Sequence, residues 1–232
     1  MTHYGVVIGR FQPFHLGHQS IIDTIIADGL EPLIIIGSTN VPLSHKNPFT
    51  ATERANMITL ATGITNIKFL PDYDSWDDWF DHLKSLLPTK CTIYLHDKPE
   101  DRCDFTYNNI HYISQSYSKL FELNNISTKQ LPISSIPICA TDIRSNPIKY
   151  NQYLHDDVYP IVLNKYYSVL NAYYGIAVGN TYALNNIVYT LEAIDNTKTY
   201  NLTLRHGTMQ HCYRTCQVIN SLKEQHANNN KT

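Results

Sequence analysis

Between Val6 and Ile22 the chain reads VVIGRFQPFHLGHQSII, which sets Gly9, Arg10, Phe11, Gln12, His15 and His18 between two apolar runs. That combination suits an anion. A strand running through Gly9 and Arg10 into a helix that begins near His15 collects free backbone N–H groups and the positive end of a helix dipole at one spot. His15 and His18 are three apart and project from one face of the first turn. Gly17 between them keeps the surface low enough for a phosphate chain to approach. Arg10 adds a permanently charged fork shaped for phosphate oxygens.

These residues need elements to hold them. YGVVIG (4–9) is a short β-branched strand, and Ile21, Ile22, Ile25 and Ile26 recur at helical spacing from Leu16 to about Asp28. PLIIIGS (32–38) predicts a second strand, and TATE (50–53) is a capping box that opens a helix to about Ala61. A third strand is expected over IKFL (67–70), a helix over residues 77–87 and a fourth strand over CTIYLH (91–96). Strands alternating with helices predict a doubly wound, Rossmann-like α/β fold: a parallel sheet with helices on both faces. Its ligands bind beyond the strand C-termini, where the opening stretch lies. Residues 97–140 are less regular, with a helix expected over 116–125 and a last strand toward LPISSIPI; helices follow from TDIRSN and over 158–174.

After Gly175 the pattern changes to period 2 with polar turns, which predicts a small all-β domain of the SH3-like type. The expected division is therefore a nucleotide-handling domain over 1–174, a β-barrel of undefined role over 175–226 and a tail over 227–232. The 232 residues carry 43% apolar and 16% charged residues with a net charge of −2, which describes an ordinary globular protein without broad attraction to nucleic acid or membrane. No apolar run approaches the ~20 residues that span a bilayer. The opening MTHYGVVIGR has no basic segment followed by an apolar one, and the odd count of 5 cysteines shows no framework spacing. Both point to a reducing, cytoplasmic setting.

GRFQPFHLGH resembles the signature of the HxGH nucleotidyltransferases, in the form found in archaeal-type nicotinamide mononucleotide adenylyltransferases. ICATDIR (138–144) is similar to that superfamily's second signature, I-S-x-T-x-x-R, with Cys139 where the family has Ser. NPFTATERANMI (47–58) and PDYDSWDDW (71–79) resemble two further family segments between them. The resemblance implies that Gly9, Arg10, Phe11, Gln12, His15, His18, Thr141 and Arg144 line an ATP site. His15, His18, Arg10 and Arg144 would act on its phosphates. It implies that Arg54 meets the phosphate of nicotinamide mononucleotide, with Asp72 and Trp79 at the nicotinamide end. The implied reaction is adenylyl transfer from Mg²⁺-ATP to that mononucleotide, giving NAD and pyrophosphate, with Mg²⁺ held mainly by phosphates. Its nucleophile is itself a phosphate of roughly −1.5 to −2 charge. No general base is required, and no Asp or Glu stands between Gly9 and His18.

Three departures matter. Cys139 is a weaker hydrogen-bond donor than Ser, Leu95 stands where the fourth strand usually ends in glycine, and residues 113–133 form a longer stretch than usual. Cys139 keeps open a non-catalytic sensor of NAD or ATP, and the superfamily also includes enzymes that act on other phosphates. Read without the resemblance, Trp76 and Trp79 are core residues of an amphipathic helix and Arg54 is an exposed helix arginine paired with an acid. His206, His211, Cys212 and Cys216 fit no zinc spacing, and the C-terminal part lacks a Nudix signature. Self-association is common among relatives, while Arg205, Arg214 and Lys223 are too few to define a nucleic-acid surface.

Overall fold

In β1 (Tyr4–Gly9) and β2 (Glu31–Ile36) nearly every central residue is buried, so both faces of these strands must be covered. Parallel strands meet that demand by passing through helices between them. The computed structural model describes residues 2–44, 46–96, 102–132, 136–174, 181–184, 187–195, 201–206 and 209–214. It shows α1 (Leu16–Ala27) after β1, then α2 (Ala51–Thr62), β3 (Ile67–Phe69), α3 (Trp76–Leu86) and β4 (Cys91–Leu95). The capping box of α2 forms as read: the Glu53 amide donates to Thr50 Oγ1 at 3.2 Å, and the Thr50 amide donates to the Glu53 carboxylate at 2.8 Å. Gly63, at φ 72°, closes that helix in the left-handed region.

Two features between β4 and the second signature differ from expectation. An antiparallel hairpin, β5 (Cys103–Tyr107) and β6 (Ile110–Gln115), precedes α4 (Ser118–Leu123). Its two-residue turn is Asn108-Asn109, both at positive φ (50° and 61°), a conformation asparagine tolerates well. Alternation on either side of an Asn-Asn pair was the available signal. The last strand of the parallel sheet is β7 (Thr128–Gln130), ahead of the LPISSIPI stretch in which it is expected. Residues 133–135 of that stretch lie outside the described residues.

The sheet order is β3-β2-β1-β4-β7, every pair parallel. Because β2 and β4 flank β1 on opposite sides, the chain reverses direction across the sheet there, which opens a crevice at the C-terminal ends of β1 and β4. Helix α1 packs close against β1: a Cβ on Gly5 would meet Ile25 Cγ2 at 2.3 Å. On the α3 side, Val6, Leu33, Ile35, Ile93 and Leu95 join Phe80 and Leu83 in one buried cluster, which the hairpin extends with Phe105 and Tyr107.

Helices α5 (Ala140–Ser145) and α6 (Tyr159–Tyr174) follow. Beyond them, β8 (Thr181–Leu184), β9 (Ile187–Asp195), β10 (Asn201–His206) and β11 (Met209–Arg214) form an antiparallel meander in chain order. The period-2 pattern therefore does produce strands. Compactness divides the chain differently from the change of pattern near Tyr174. One unit comprises Met1–Thr141 with Tyr153–Val158, and the other Asp142–Gln152 with Tyr159–Thr232. Cys216, Lys223 and the 227–232 tail lie outside the described residues. Among the described residues no helix is long and apolar enough to cross a membrane.

Candidate active site

The crevice at the end of β1 is a cleft of about 930 Å³. Gly9, Arg10, Phe11, His15 and His18 line it, as do Asp72 and Trp79. Seven of the residues singled out in the sequence therefore share one cavity, although up to 70 positions separate them.

The local chain explains the placement of the histidines. His15 is the N-cap of α1, with extended backbone (φ −152°, ψ 170°) and its Nδ1 accepting the Gly17 amide at 3.1 Å. An imidazole nitrogen that accepts carries no proton, so Nε2 is the donor of neutral His15. Its ring stacks on that of His18 at 3.8 Å between centroids, tilted 29°. His18 is held from its other sides by Phe11, edge-on at 4.9 Å, and by Phe14 at 5.7 Å. Phe11 takes up a left-handed backbone (φ 50°) and buries its ring, and this turns the loop behind the two imidazoles. Gly17 lies where a Cβ would meet the His15 ring at 3.0 Å and Ile138 at 3.6 Å. The second signature thus runs directly over the start of the first helix, and Ile138 and Cys139 form part of the cleft wall.

Asp72 is exposed to the cleft yet firmly placed. Ser38 Oγ donates to its carboxylate at 3.0 Å. Asn40 accepts the Asp72 amide at 2.8 Å and donates to the Asp72 carbonyl at 2.9 Å. Ser38 and Asn40 come from the loop after β2, and no local pattern in the sequence marks their tie to a residue more than thirty positions on. Trp76, Tyr117 and His96 also line the cleft without having been read from the sequence as site residues.

Gln12 and Arg54 stand behind the cleft wall. Gln12 is 5% exposed, and its amide pairs with the backbone of Phe49, donating to the carbonyl at 2.8 Å and accepting the N–H at 3.0 Å. Arg54 is neither an exposed helix arginine nor a lining residue: it is 2% exposed. Its guanidinium donates to the carbonyls of Arg10 (2.7 Å), Gly37 (2.8 Å), Ser38 (3.2 Å) and Thr50 (3.3 Å). The loops after β1 and β2 thereby hang on one side chain of α2. Burial, followed by the positive charge of Arg10, lowers the Arg54 pKa below the ordinary guanidinium value, with Asp72 acting in the opposite sense. Thr141 and Arg144 lie in α5, Thr141 exposed and Arg144 in the last turn, and neither is among the lining residues.

A Rossmann-like sheet with a histidine pair and an arginine at its switch point defines the class: an α/β protein of the kind that gathers its ligand-binding groups beyond the strand ends. The chain belongs to the cytidylyltransferase-like family, whose model matches residues 6–145. It is 40% identical over 94 residues to a nicotinamide-nucleotide adenylyltransferase of Methanocorpusculum labreanum, covering 39% of this chain and 56% of that one. It is 44% identical over 91 residues to the Methanolobus tindarius protein of that name, covering 38% and 53%. The chain thus spans about half the length of the curated relatives it matches. Among solved structures it is similar in fold to a bifunctional NMN adenylyltransferase/ADP ribose pyrophosphatase from Francisella tularensis in complex with AMP and a Mn ion. That match has a TM-score of 0.57 at 19% identity, over 90% of this chain and 70% of that one.

Proposed function

We propose that the chain transfers an adenylyl group from ATP to nicotinamide mononucleotide, giving NAD and pyrophosphate. One observation carries the reading: a single cleft holds a stacked histidine pair and Arg10 together with Asp72 and Trp79. Its volume of about 930 Å³ lies at the upper end of the ~300–1,000 Å³ range of ligand pockets. The relatives bearing that activity in their names support it from the sequence side.

In the reaction a phosphate oxygen of the mononucleotide attacks the α-phosphorus of ATP. A P–O bond forms there, the bond to the β-phosphate oxygen breaks, and pyrophosphate leaves with the electron pair. The chain's part is positioning and neutralisation of charge. Arg10, His15 and His18 act on the triphosphate, and Gly9 and Phe11 shape its seat; for Thr141 and Arg144, which are not among the lining residues, the same roles rest on the resemblance of the second signature. Asp72 and Trp79 take the pyridine end. Gln12 and Arg54 serve by holding the loops that carry these groups; Arg54 has at most one of its five N–H groups left over for a phosphate. Among the described residues no group of three His, Cys, Asp or Glu is placed to cage a metal. A divalent cation, Mg²⁺ by preference, would be held mainly by the ATP phosphates and would add charge neutralisation there. We read the C-terminal strands as a small SH3-like barrel after a boundary near Tyr174, and the protein as cytoplasmic.

The test is NAD formation from nicotinamide mononucleotide, ATP and Mg²⁺, followed by mass spectrometry. His18→Ala is expected to lower turnover by about 10²–10³-fold while leaving mononucleotide affinity within twofold; unchanged turnover removes His18 from the mechanism. A second reading, a sensor that binds without turnover, draws on Cys139, which lines the cleft at the position where the resembled signature has Ser. Nucleotide binding with no product from the native chain, and product from Cys139→Ser, would establish it.

A further inference from the structure

The parallel sheet carries a second cavity at its opposite end. Where the cleft lies beyond the C-terminal ends of β1 and β4, a pocket of about 570 Å³ lies at their starts, lined by His3 just before β1 and by Cys91, the first residue of β4. At ~3.3 Å per residue the 6 residues of β1 set the two cavities about 20 Å apart. They share no lining residue.

The charge of this pocket has one sign. Lys84 of α3 and Lys90 just before β4 line it together with His3, and among the described residues no Asp or Glu does so. Lys84 bonds Asp81, one turn back, at 2.7 Å, which uses one of the three donors of an ammonium group. His3 is fixed in place: its Nε2 bonds the Thr92 hydroxyl at 3.0 Å, and that hydroxyl donates to Ser127 Oγ at 3.4 Å. An imidazole gains affinity for a proton when an anion settles beside it. Helices α3 and α4 both end here, and a bare carbonyl end would repel an anion. Both ends are covered. Lys68 Nζ donates to the Leu86 carbonyl of α3 at 2.7 Å, and Asn124 Nδ2 donates to the Leu120 carbonyl of α4 at 2.8 Å.

The remaining lining suits the body of an ester better than a bare ion. Leu87, Pro88 and Ile126 are apolar and half-buried, which leaves each of them surface to cover. The volume falls within the ~300–1,000 Å³ of small-molecule pockets. We propose that this pocket is a second ligand site, separate from the cleft, for a phosphate monoester of nucleotide size. Lys84, Lys90 and His3 take the phosphate, and Leu87, Pro88 and Ile126 take the body attached to it.

Three cysteines report on the proposal in the unaltered chain. Cys91 lines the pocket, Cys139 lines the cleft, and Cys103 is exposed on β5 and lines neither. The full chain is alkylated with iodoacetamide in the presence of AMP, adenosine or inorganic phosphate, and the rate at each cysteine is read by peptide mass spectrometry. The buffer is mildly alkaline because burial raises the Cys91 pKa. Saturating AMP is expected to slow alkylation of Cys91 about tenfold, following 1 + [AMP]/Kd, and to leave Cys103 unchanged. Adenosine should give no protection, and phosphate should need about tenfold more than AMP for the same effect. In the double variant Lys84→Ala/Lys90→Ala, half-protection of Cys91 should require about tenfold more AMP, with any protection of Cys139 unchanged. Rates at Cys103 and Cys139 equal to wild type without ligand show that the variant is folded.

Alkylation of Cys91 at one rate with and without millimolar AMP overturns the proposal on the unaltered chain. Helices α3 and α4 run from one cavity to the other, with Trp79 and Tyr117 in the cleft and Lys84 and Asn124 in the pocket. Protection of Cys91 that tracks Cys139 and survives in the double variant therefore overturns the proposal as well, because the effect would then be passed along those helices from the cleft. Equal protection by adenosine refutes the phosphate's part, and equal protection by inorganic phosphate refutes that of the body.

Discussion

Replacing Arg54 with leucine separates two roles that one arginine could have. In the structure its guanidinium satisfies carbonyls of Arg10, Gly37, Ser38 and Thr50 from a site that is 2% exposed. Leucine fills most of the volume but donates nothing. The carbonyls of Arg10 and Gly37, with the two shortest bonds, lose their charged donor while still shielded from water. A buried polar group left unsatisfied costs ~1–3 kcal/mol, and two such groups with the weaker pair added give about 3–5 kcal/mol. For a unit of this size each kcal/mol shifts Tm by ~2–4 °C, so the midpoint should fall by roughly 6–20 °C. Both tryptophans lie in the same compact unit as Arg54, so tryptophan emission during a thermal ramp follows the unfolding of that unit. Arg54→Lys, with three donors in place of five, should lie between leucine and wild type. A leucine variant that melts within about 2 °C of wild type yet no longer takes up mononucleotide would refute this reasoning, because the guanidinium would then be holding a phosphate rather than the loops.

Other consequences can be tested with less effort. Gly5→Ala places a methyl 2.3 Å from Ile25 Cγ2 and should destabilise the protein by ~1–3 kcal/mol through overpacking, read by denaturant titration; in an Ile25→Ala background, which lacks both γ carbons, the same Gly5→Ala change should cost less. The Asp28 carboxyl is held below its ordinary pKa, chiefly by its bond from Lys129 and then by that from the Tyr94 hydroxyl. A depressed carboxyl contributes stability above its unfolded value of ~3.9 and loses it as pH falls through the lower folded value. Asp28→Asn should therefore melt earlier than wild type at pH 7, with the gap closing toward pH 3, and a gap that widens in acid would contradict the assignment. Cys139→Ser should tighten ATP binding a few-fold by supplying a stronger donor at the cleft wall, as calorimetry would show.

The alternation of strands and helices, the capping box and the phosphate-gripping first turn are all legible in the chain, because each is a local matter of period, propensity or a few adjacent side chains. The hairpin went unread although Asn108-Asn109 stands between alternating residues, because it lies in an irregular stretch where a short strand pair competes with loop. Arg54 and Gln12 were recognisable as important from their motifs, and only their purpose was hidden: the sequence cannot show whether a guanidinium meets a ligand or four carbonyls.

What the sequence determined by itself was the Rossmann-like sheet and the chemistry of its opening turn, since period and residue type suffice to place a strand, a glycine bend and a helix start in succession. What only the tertiary structure decided was who shares the cleft. Trp76 and Tyr117 stand 41 positions apart, and Ser38 reaches Asp72 across two loops. Those meetings depend on sheet order and on helices α3 and α4 packing side by side around Phe80 and Phe121, whose rings lie 5.8 Å apart. Long-range burial is a property of the folded chain as a whole, and no window of residues carries it.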